Sequence, residues 1–440
     1  MMENAVDLPL WSLVPFIVML MMVAVAPLMM EKTWEKNSTK LIVSLVLGVP
    51  VAVFLINQDM SEALEHQLLY DYVPFIVLLA SLFVVTGGIH LSGDLLAKPM
   101  TNTVFLATGY VFASLMGTTG AAMLLIRPLL ETNSQRKYNT HTVLFFIAMV
   151  ANCGGLLTPL GDPPLFLLYL RGASFTWFLH MFPAWLLVGA ILLTIYYFLD
   201  SYWYKKESEH RLFADEEERR PLKIYGHINI VYLLLIVAAV AFINVGFIPA
   251  MGDPESPVWV RFLREIVLLS IIGLSLYSTK PEVRSSNRFS WNPILEVAAV
   301  FLGIFTTMIP AMLFLKSHAA SFGLSQPWQF FYSTGMLSSF LDNAPTALAF
   351  HGVATGLVDS GAALAEVAGV PEVLLEAISM GAVFFGAMTY IGNGPNFMVK
   401  AISEEYGYKM PSFFGYMYKF SLCVLLPVYI IVQLVFFFFF

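Results

Sequence analysis

Apolar runs recur along the whole chain, near residues 9–30, 41–57, 71–90, 102–130, 142–170, 177–198, 227–249, 263–278, 291–315, 328–351, 375–400 and 412–438. A membrane span needs roughly 20 such residues. Backbone groups in lipid must find partners within the chain, so each run predicts helix. Two runs are interrupted midway by polar or helix-breaking residues, at MGTTG (Met116–Gly120) and at LDNAPT (Leu341–Thr346). Each predicts a helix–turn–helix hairpin that enters the membrane and returns; a single kinked helix is the alternative. Two more runs break at TPLGDPP (Thr158–Pro164) and TYIGNGPN (Thr389–Asn396), and predict discontinuous crossings.

Loop charge orients the scheme. Lys205, Lys206, Arg211, Arg219, Arg220 and Lys223 follow the run 177–198 and predict a cytoplasmic loop. Lys280, Arg284 and Arg288 then fall on the same side. Arg136 and Lys137 fall inside only if 102–130 is a hairpin, and Lys98, Lys32, Lys36 and Lys40 follow. Both termini are then outside. The expected fold is an all-α polytopic membrane protein with ten crossings plus two re-entrant hairpins. Residues 1–198 form one unit with a hairpin near 102–130. Residues 199–226 form a charged cytoplasmic linker, and 227–440 a second unit with a hairpin near 328–351. Each unit crosses five times, so the second inserts upside down, as in the inverted repeats of many secondary transporters. The breaks match locally: Thr158 with Thr389, Gly161 with Gly392, Asp162 with Asn393, Pro164 with Pro395 and Phe166 with Phe397. The tips SLMGTTGA (Ser114–Ala121) and SFLDNAPT (Ser339–Thr346) match in position and character.

Composition agrees with this picture. The 440 residues are 58% hydrophobic and 12% charged, against about 25% charged in an ordinary soluble domain, and mean hydropathy is +0.75. A conventional soluble enzyme and a disordered chain are both excluded. The net charge of −7 comes without a basic stripe, so nucleic acid is not an expected partner. Cys153 and Cys423 lie in apolar runs and suggest neither a disulfide nor a zinc site. No nucleotide-binding fingerprint is present, which leaves ion gradients as the energy source and no cofactor beyond the transported ions. The first run lacks a basic flank and reads as a retained helix. The tail VFFFFF (435–440) reads as lipid contact.

Broken helices expose amides and carbonyls that must face protein, water or a solute. Their N-terminal ends are electropositive, and oxygen ligands suit hard cations. At the first tip, Thr118 and Thr119 offer hydroxyls, and Gly117 and Gly120 permit close approach; small residues also pack helices. Asn343 at the second tip can cap a half-helix or ligate an ion. Intramembrane acids are candidate functional groups, and three qualify: Asp342 at the second tip, Asp162 in the first break and Glu296 in the run 291–315. Each could hold a cation in one step and a proton in the next, since burial favours the neutral acid and a nearby cation the ionised one. A neutral or ion-paired structural acid is the other reading, and for Glu296 a position near the interface. Asp342 is the first choice for the exchanging group and Asp162 the second. Asn152, Thr158, Thr389, Asn393 and Asn396 complete the candidate ion- or proton-binding set. Arg127 is an anion-attracting group or a structural partner, with surface or structural pairing preferred. His90 and Asp94, closing the run 71–90, and Lys400 read as interface residues.

Four motifs, in order, are SLMGTTGAAMLLIRP from Ser114, NCGGLLTPLGDPPL from Asn152, LSSFLDNAPTALAF from Leu337 and YIGNGPNFMVKAI from Tyr390. In these the chain resembles, over roughly residues 70–440, the D-type bacterial sodium/proton antiporters and the related citrate-transport family of the ion transporter superfamily. The resemblance implies two inverted repeats, two re-entrant hairpins and a homodimer built through scaffold helices in the bacterial inner membrane. It also implies Na⁺ sites at the tips and breaks, here Thr118, Thr119, Asp162, Asp342, Asn343 and Asn393. The dicarboxylate branch carries Ser-Asn-Thr at each tip, whereas this chain reads Gly117-Thr118-Thr119 and Asp342-Asn343-Ala344. That departure favours Na⁺/H⁺ antiport, exchanging cytoplasmic sodium for protons. Sodium-coupled uptake of citrate or a dicarboxylate is the alternative, motivated by Arg127 and the helix-end dipoles; efflux of arsenite or another anion is a further option. A channel or purely structural protein is the remaining class, and the repeat argues against it.

Overall fold

The computed structural model describes residues 8–34, 36–217 and 219–438. The protein is a helical membrane protein. In the first half the main helices are α1 (Val14–Met29), α2 (Asn37–Asn57), α3 (Val73–Thr86), α4 (Pro99–Met116), α5 (Thr118–Thr132), α6 (Thr140–Met149), α7 (Pro163–Leu170) and α8 (Phe182–Tyr204). The second half carries α9 (Ile228–Phe242), α10 (Leu263–Ser278), α11 (Asn292–Ser317), α12 (Pro327–Ser338), α13 (Asn343–Asp359), α14 (Glu372–Phe385), α15 (Gly394–Glu405) and α16 (Leu426–Phe436). Among the described residues, seven continuous helical stretches are long and apolar enough to cross a membrane. The longest single helix, α11 with 26 residues, extends about 39 Å at 1.5 Å per residue.

Both interrupted runs double back. The chain turns between α4 and α5 at Gly117, whose φ of 80° and ψ of 150° belong to backbone space open essentially to glycine. Gly109 of α4 then packs on Leu125 of α5, eight residues either side of the turn; a Cβ on Gly109 would lie 3.0 Å from Leu125 Cδ1. In the second run the turn lies between α12 and α13, and the rings of Phe330 and Phe350 face each other with centroids 6.3 Å apart. The two later breaks are also present. A 3₁₀ turn at Cys153–Leu157 and an irregular stretch separate α6 from α7, and a 3₁₀ turn at Gly386–Met388 does the same between α14 and α15.

The run 71–90 differs from expectation at both ends. Helix begins at Ser61, passes through π-helical turns at Gln67–Tyr72 and stops at Thr86, before the pair Gly87-Gly88. His90–Asp94 is not a helix end but a strand, β1, which pairs antiparallel with β2 (Arg220–Tyr225) of the linker. Among the described residues the chain therefore carries one two-stranded ribbon, and the described part of the linker 199–226 is part helix, part strand. The linker returns tightly: a Cβ on Gly226, whose φ is +71°, would lie 1.9 Å from the Gly88 carbonyl oxygen. Of the aromatic tail, Phe439 and Phe440 lie outside the described residues.

Arg136, expected as a loop charge, lies in the loop between α5 and α6 and is buried at 3% exposure. Its Nη2 lies 2.7 Å from Asp200 of α8, which also contacts His141 Nε2 at 2.8 Å and accepts from Asn102 of α4 at 3.2 Å. Asn102 and Asn133 exchange amide hydrogen bonds across the open end of the first hairpin. The base of that hairpin is thereby tied to α6 and α8. Asp200→Ala would leave the buried Arg136 guanidinium only the Ala97 carbonyl at 3.3 Å and the more distant Glu207 at 3.9 Å, and breaking a buried pair costs up to about 3–5 kcal/mol. We expect a marked fall in melting temperature in detergent, with Asp200→Asn intermediate.

A buried carboxylate where four helices begin

Asp162 is the last residue before α7, and Pro163 and Pro164 follow it. An aspartate here ordinarily accepts from amides of its own first turn. Proline has no N–H, and the next amide, Leu165 N, is taken by the Asp162 carbonyl at 3.0 Å. The carboxylate makes no cap on α7 and reaches across to both hairpin tips. Oδ1 accepts from Thr118 Oγ1 at 2.7 Å and from Asn393 Nδ2 at 3.0 Å, and Oδ2 accepts from Asn343 Nδ2. Thr118 opens α5, Asn343 opens α13 and Asn393 precedes α15. Four helices thus begin at Asp162 or at a residue bonded to it, and their electropositive ends face one carboxylate.

That carboxylate is 1% exposed. Its hydrogen-bond partners are a hydroxyl and two amides, and among the described residues it forms no ion pair with Lys, Arg or His. Beside it, the Asn343 side-chain oxygen is buried with no hydrogen-bond partner among the described residues. A buried charge is costly unless paired or well hydrogen-bonded. The arrangement therefore suits either an incoming proton or a cation that uses the carboxylate and the free Asn343 oxygen.

A shell of amides holds this centre. Asn152, fully buried, donates to Asn396 Oδ1 at 2.7 Å and to the Ile147 carbonyl at 2.8 Å, and accepts from Asn393 at 3.2 Å. Asn396 donates to the carbonyls of Gly386 and Thr389. The two breaks are built alike. Thr158 Oγ1 donates to the Ser114 carbonyl and Thr389 Oγ1 to the Ser339 carbonyl, each joining a break to the neighbouring hairpin tip. Gly161 lies against the Gly155 carbonyl and Gly392 against the Gly386 carbonyl, with the same six-residue spacing. Asp162 and Asn393 share a backbone, φ/ψ −148°/145° and −150°/142°. Carbonyls freed by the breaks find side-chain donors: Ser114 Oγ and Trp185 Nε1 at Gly154, Tyr429 at Phe384, Tyr416 at Ala387 and Ser421 at Met388.

The other candidates make no hydrogen bond to Asp162. Asp342 caps its own helix, accepting from Ala344 N at 3.0 Å, and is half-buried. Thr119 and Gly117 line a cavity of about 80 Å³ that Thr118, Gly161 and Pro163 of this centre also border, together with Leu82 and Ile294. Glu296 pairs with the buried Lys40 at 2.6 Å, its own side chain 47% exposed. Arg127 lies on α5 near Glu131, Glu405 and Tyr406. Lys400 pairs with Glu404 at 2.8 Å, and His90 bonds Asn287 at 2.8 Å. The sequence reading did not single out Ser114 and Ser339 as anchors or Lys40 as the partner of Glu296. Both serines open the matched tip segments, which was the available signal.

A family described as "Putative citrate transport" matches residues 5–437, nearly the whole chain. The chain is also 23% identical over 287 residues to the inner membrane protein YbiR of Escherichia coli (strain K12), covering 62% of this chain and 69% of that one. The family match spans both hairpins and both breaks, so the carboxylate centre lies wholly within the matched region. The chain belongs to this citrate-transport family of secondary-active membrane transporters, within the ion transporter superfamily, and is a transport protein rather than an enzyme.

Proposed function

We propose that the protein is a secondary active transporter that moves a citrate-class carboxylate together with a cation, Na⁺ or H⁺, bound at Asp162. The observation that carries this reading is the buried Asp162 carboxylate, which precedes one helix and is bonded to donors at three other helix starts. Four helix ends contribute about +0.5 charge each against the negative charges of Asp162 and of Asp342, the cap of α13. Neutralising Asp162 leaves a net electropositive pocket, so cation and anion favour each other's binding. Family membership supports the carboxylate as cargo.

The second reading is Na⁺/H⁺ antiport. It draws on the hydroxyl and amide partners of Asp162, none of them a basic group, and needs no anion. Radiolabelled citrate uptake into proteoliposomes, under imposed proton or sodium gradients, separates the two. Accumulation driven by either gradient supports the first. Sodium-driven proton movement indifferent to citrate supports the second.

In this reading the hairpins are re-entrant and the chain makes ten crossings in two inverted repeats, a picture that the like-built breaks support. The protein sits in the inner membrane with both termini outside, in contact with lipid. It pairs as a homodimer through the helices near 9–57 and 227–278. Asp342 and Thr119 serve the tips without contacting the coupled cation. Glu296 is a structural partner of Lys40, so Glu296→Gln should leave coupling intact and act mainly on stability. A Glu296→Gln protein that still folds but no longer couples citrate to a gradient would return Glu296 to the site.

A further inference from the structure

The centre already holds a carboxylate, the protein's own. Three donors from three helix starts and both hairpins converge on it: Thr118 Oγ1, Asn393 Nδ2 and Asn343 Nδ2. Such a set of neutral donors is what a buried carboxylate of any origin requires. The two prolines after Asp162 leave its side chain no cap to make on its own helix, in contrast to Asp342, which caps α13. The carboxylate is thus tethered beside the seat rather than bound by its own helix.

We infer that Asp162 is a tethered stand-in for a substrate carboxylate. It fills the seat made by Thr118, Asn343 and Asn393 in the substrate-free protein, and the transported carboxylate takes those donors once a proton or cation neutralises Asp162. This rests on the reading that the cargo is a carboxylate. Two like charges cannot share one buried donor set, so the anion enters only with its coupling ion. Obligatory coupling then follows from occupancy of one seat rather than from a remote switch. The unpartnered Asn343 oxygen accepts a hydrogen bond from the protonated Asp162 carboxyl, or ligates the cation that Asp162 holds, as Asp162 withdraws.

Asp162→Ala empties the seat and leaves the three donors in place. Formate is the probe, because it is a carboxylate small enough to replace the deleted side chain. Saturating formate should raise the melting temperature of Asp162→Ala protein by roughly 3 °C or more and leave the wild type unmoved. Citrate should displace radiolabelled formate from the variant. Asp162→Asn, whose side chain refills the space, should not respond. Recovery of monodisperse Asp162→Ala protein only when formate is present during purification would support the inference equally. Equal formate shifts in wild type and variant would overturn it. So would no shift in a folded variant, formate that citrate cannot displace, or loss of the variant in both conditions while Asp162→Asn folds normally. The transport reading fails by a different measurement: wild-type vesicles that move no citrate under any gradient.

Discussion

Asp162→Asn is expected to reduce gradient-driven citrate accumulation by about a hundredfold or more, with the protein still folded and inserted. The substitution keeps side-chain size and removes the charge that Thr118, Asn343 and Asn393 share. Two amide donors, Asn343 and Asn393, would then face a carboxamide that offers a single oxygen. Asparagine has no charge for a proton or cation to neutralise, so the coupling of anion to cation is lost; each 1.36 kcal/mol is tenfold, and a coupling of about 2.7 kcal/mol accounts for a factor of this size. Asp342→Asn is expected to be much milder, because asparagine is as good an N-cap as aspartate and can still accept from Ala344 N. Uptake assays on equal amounts of reconstituted protein test both. A hierarchy with Asp342 more sensitive than Asp162 would return the coupling role to the second tip.

Gly161→Ala is expected to prevent correct folding of the first break. A Cβ there would lie 1.9 Å from the Gly155 carbonyl oxygen, a backbone atom with no room to retreat between two turns. The Gly161 carbonyl also accepts from Thr118 N at 2.8 Å. Forcing the strands of this knot apart therefore displaces the first tip together with Asp162. The cost is roughly 4 kcal/mol or more, at the upper end for single substitutions. Little monodisperse protein should survive size-exclusion chromatography in detergent. Gly394→Ala, at the first turn of α15, is the control: a Cβ there meets nothing within 4 Å, and the change should fall within about 0.5 kcal/mol of neutral. Similar behaviour of the two variants would show that the close approach at Gly161 is not the constraint.

Both hairpin turns and both breaks were legible because glycine, proline and polar residues interrupt apolar runs there, and membrane-buried backbone tolerates that only for a reason. The candidate polar residues were legible for the same reason. Their relative importance was not. Asp342 and Asp162 look alike in sequence, each in a polar break of an apolar run with proline within three residues. What separates them is which first-turn amides exist: Ala344 N is available to Asp342, whereas Pro163 and Pro164 deny Asp162 the equivalent donors. The pairing of prolines with a carboxylate was readable in principle, but its direction across 181 residues to Asn343 is tertiary. The β1–β2 ribbon was missed because β2 is exposed throughout and gives no alternating apolar pattern. The burial of Arg136 was not legible because loop charge reports sidedness only, and its partner Asp200 sits at the end of an apolar run 64 residues away.

Citrate flux and cation flux recorded together in the same proteoliposomes, for wild type and Asp162→Asn side by side, test the central claim most directly. The account predicts that wild-type protein moves citrate and cation inward in a fixed ratio, and that Asp162→Asn protein loses the cation flux tied to citrate. Cation exchange that ignores citrate in the wild type, or a cation-to-citrate ratio unchanged in Asp162→Asn, would contradict it.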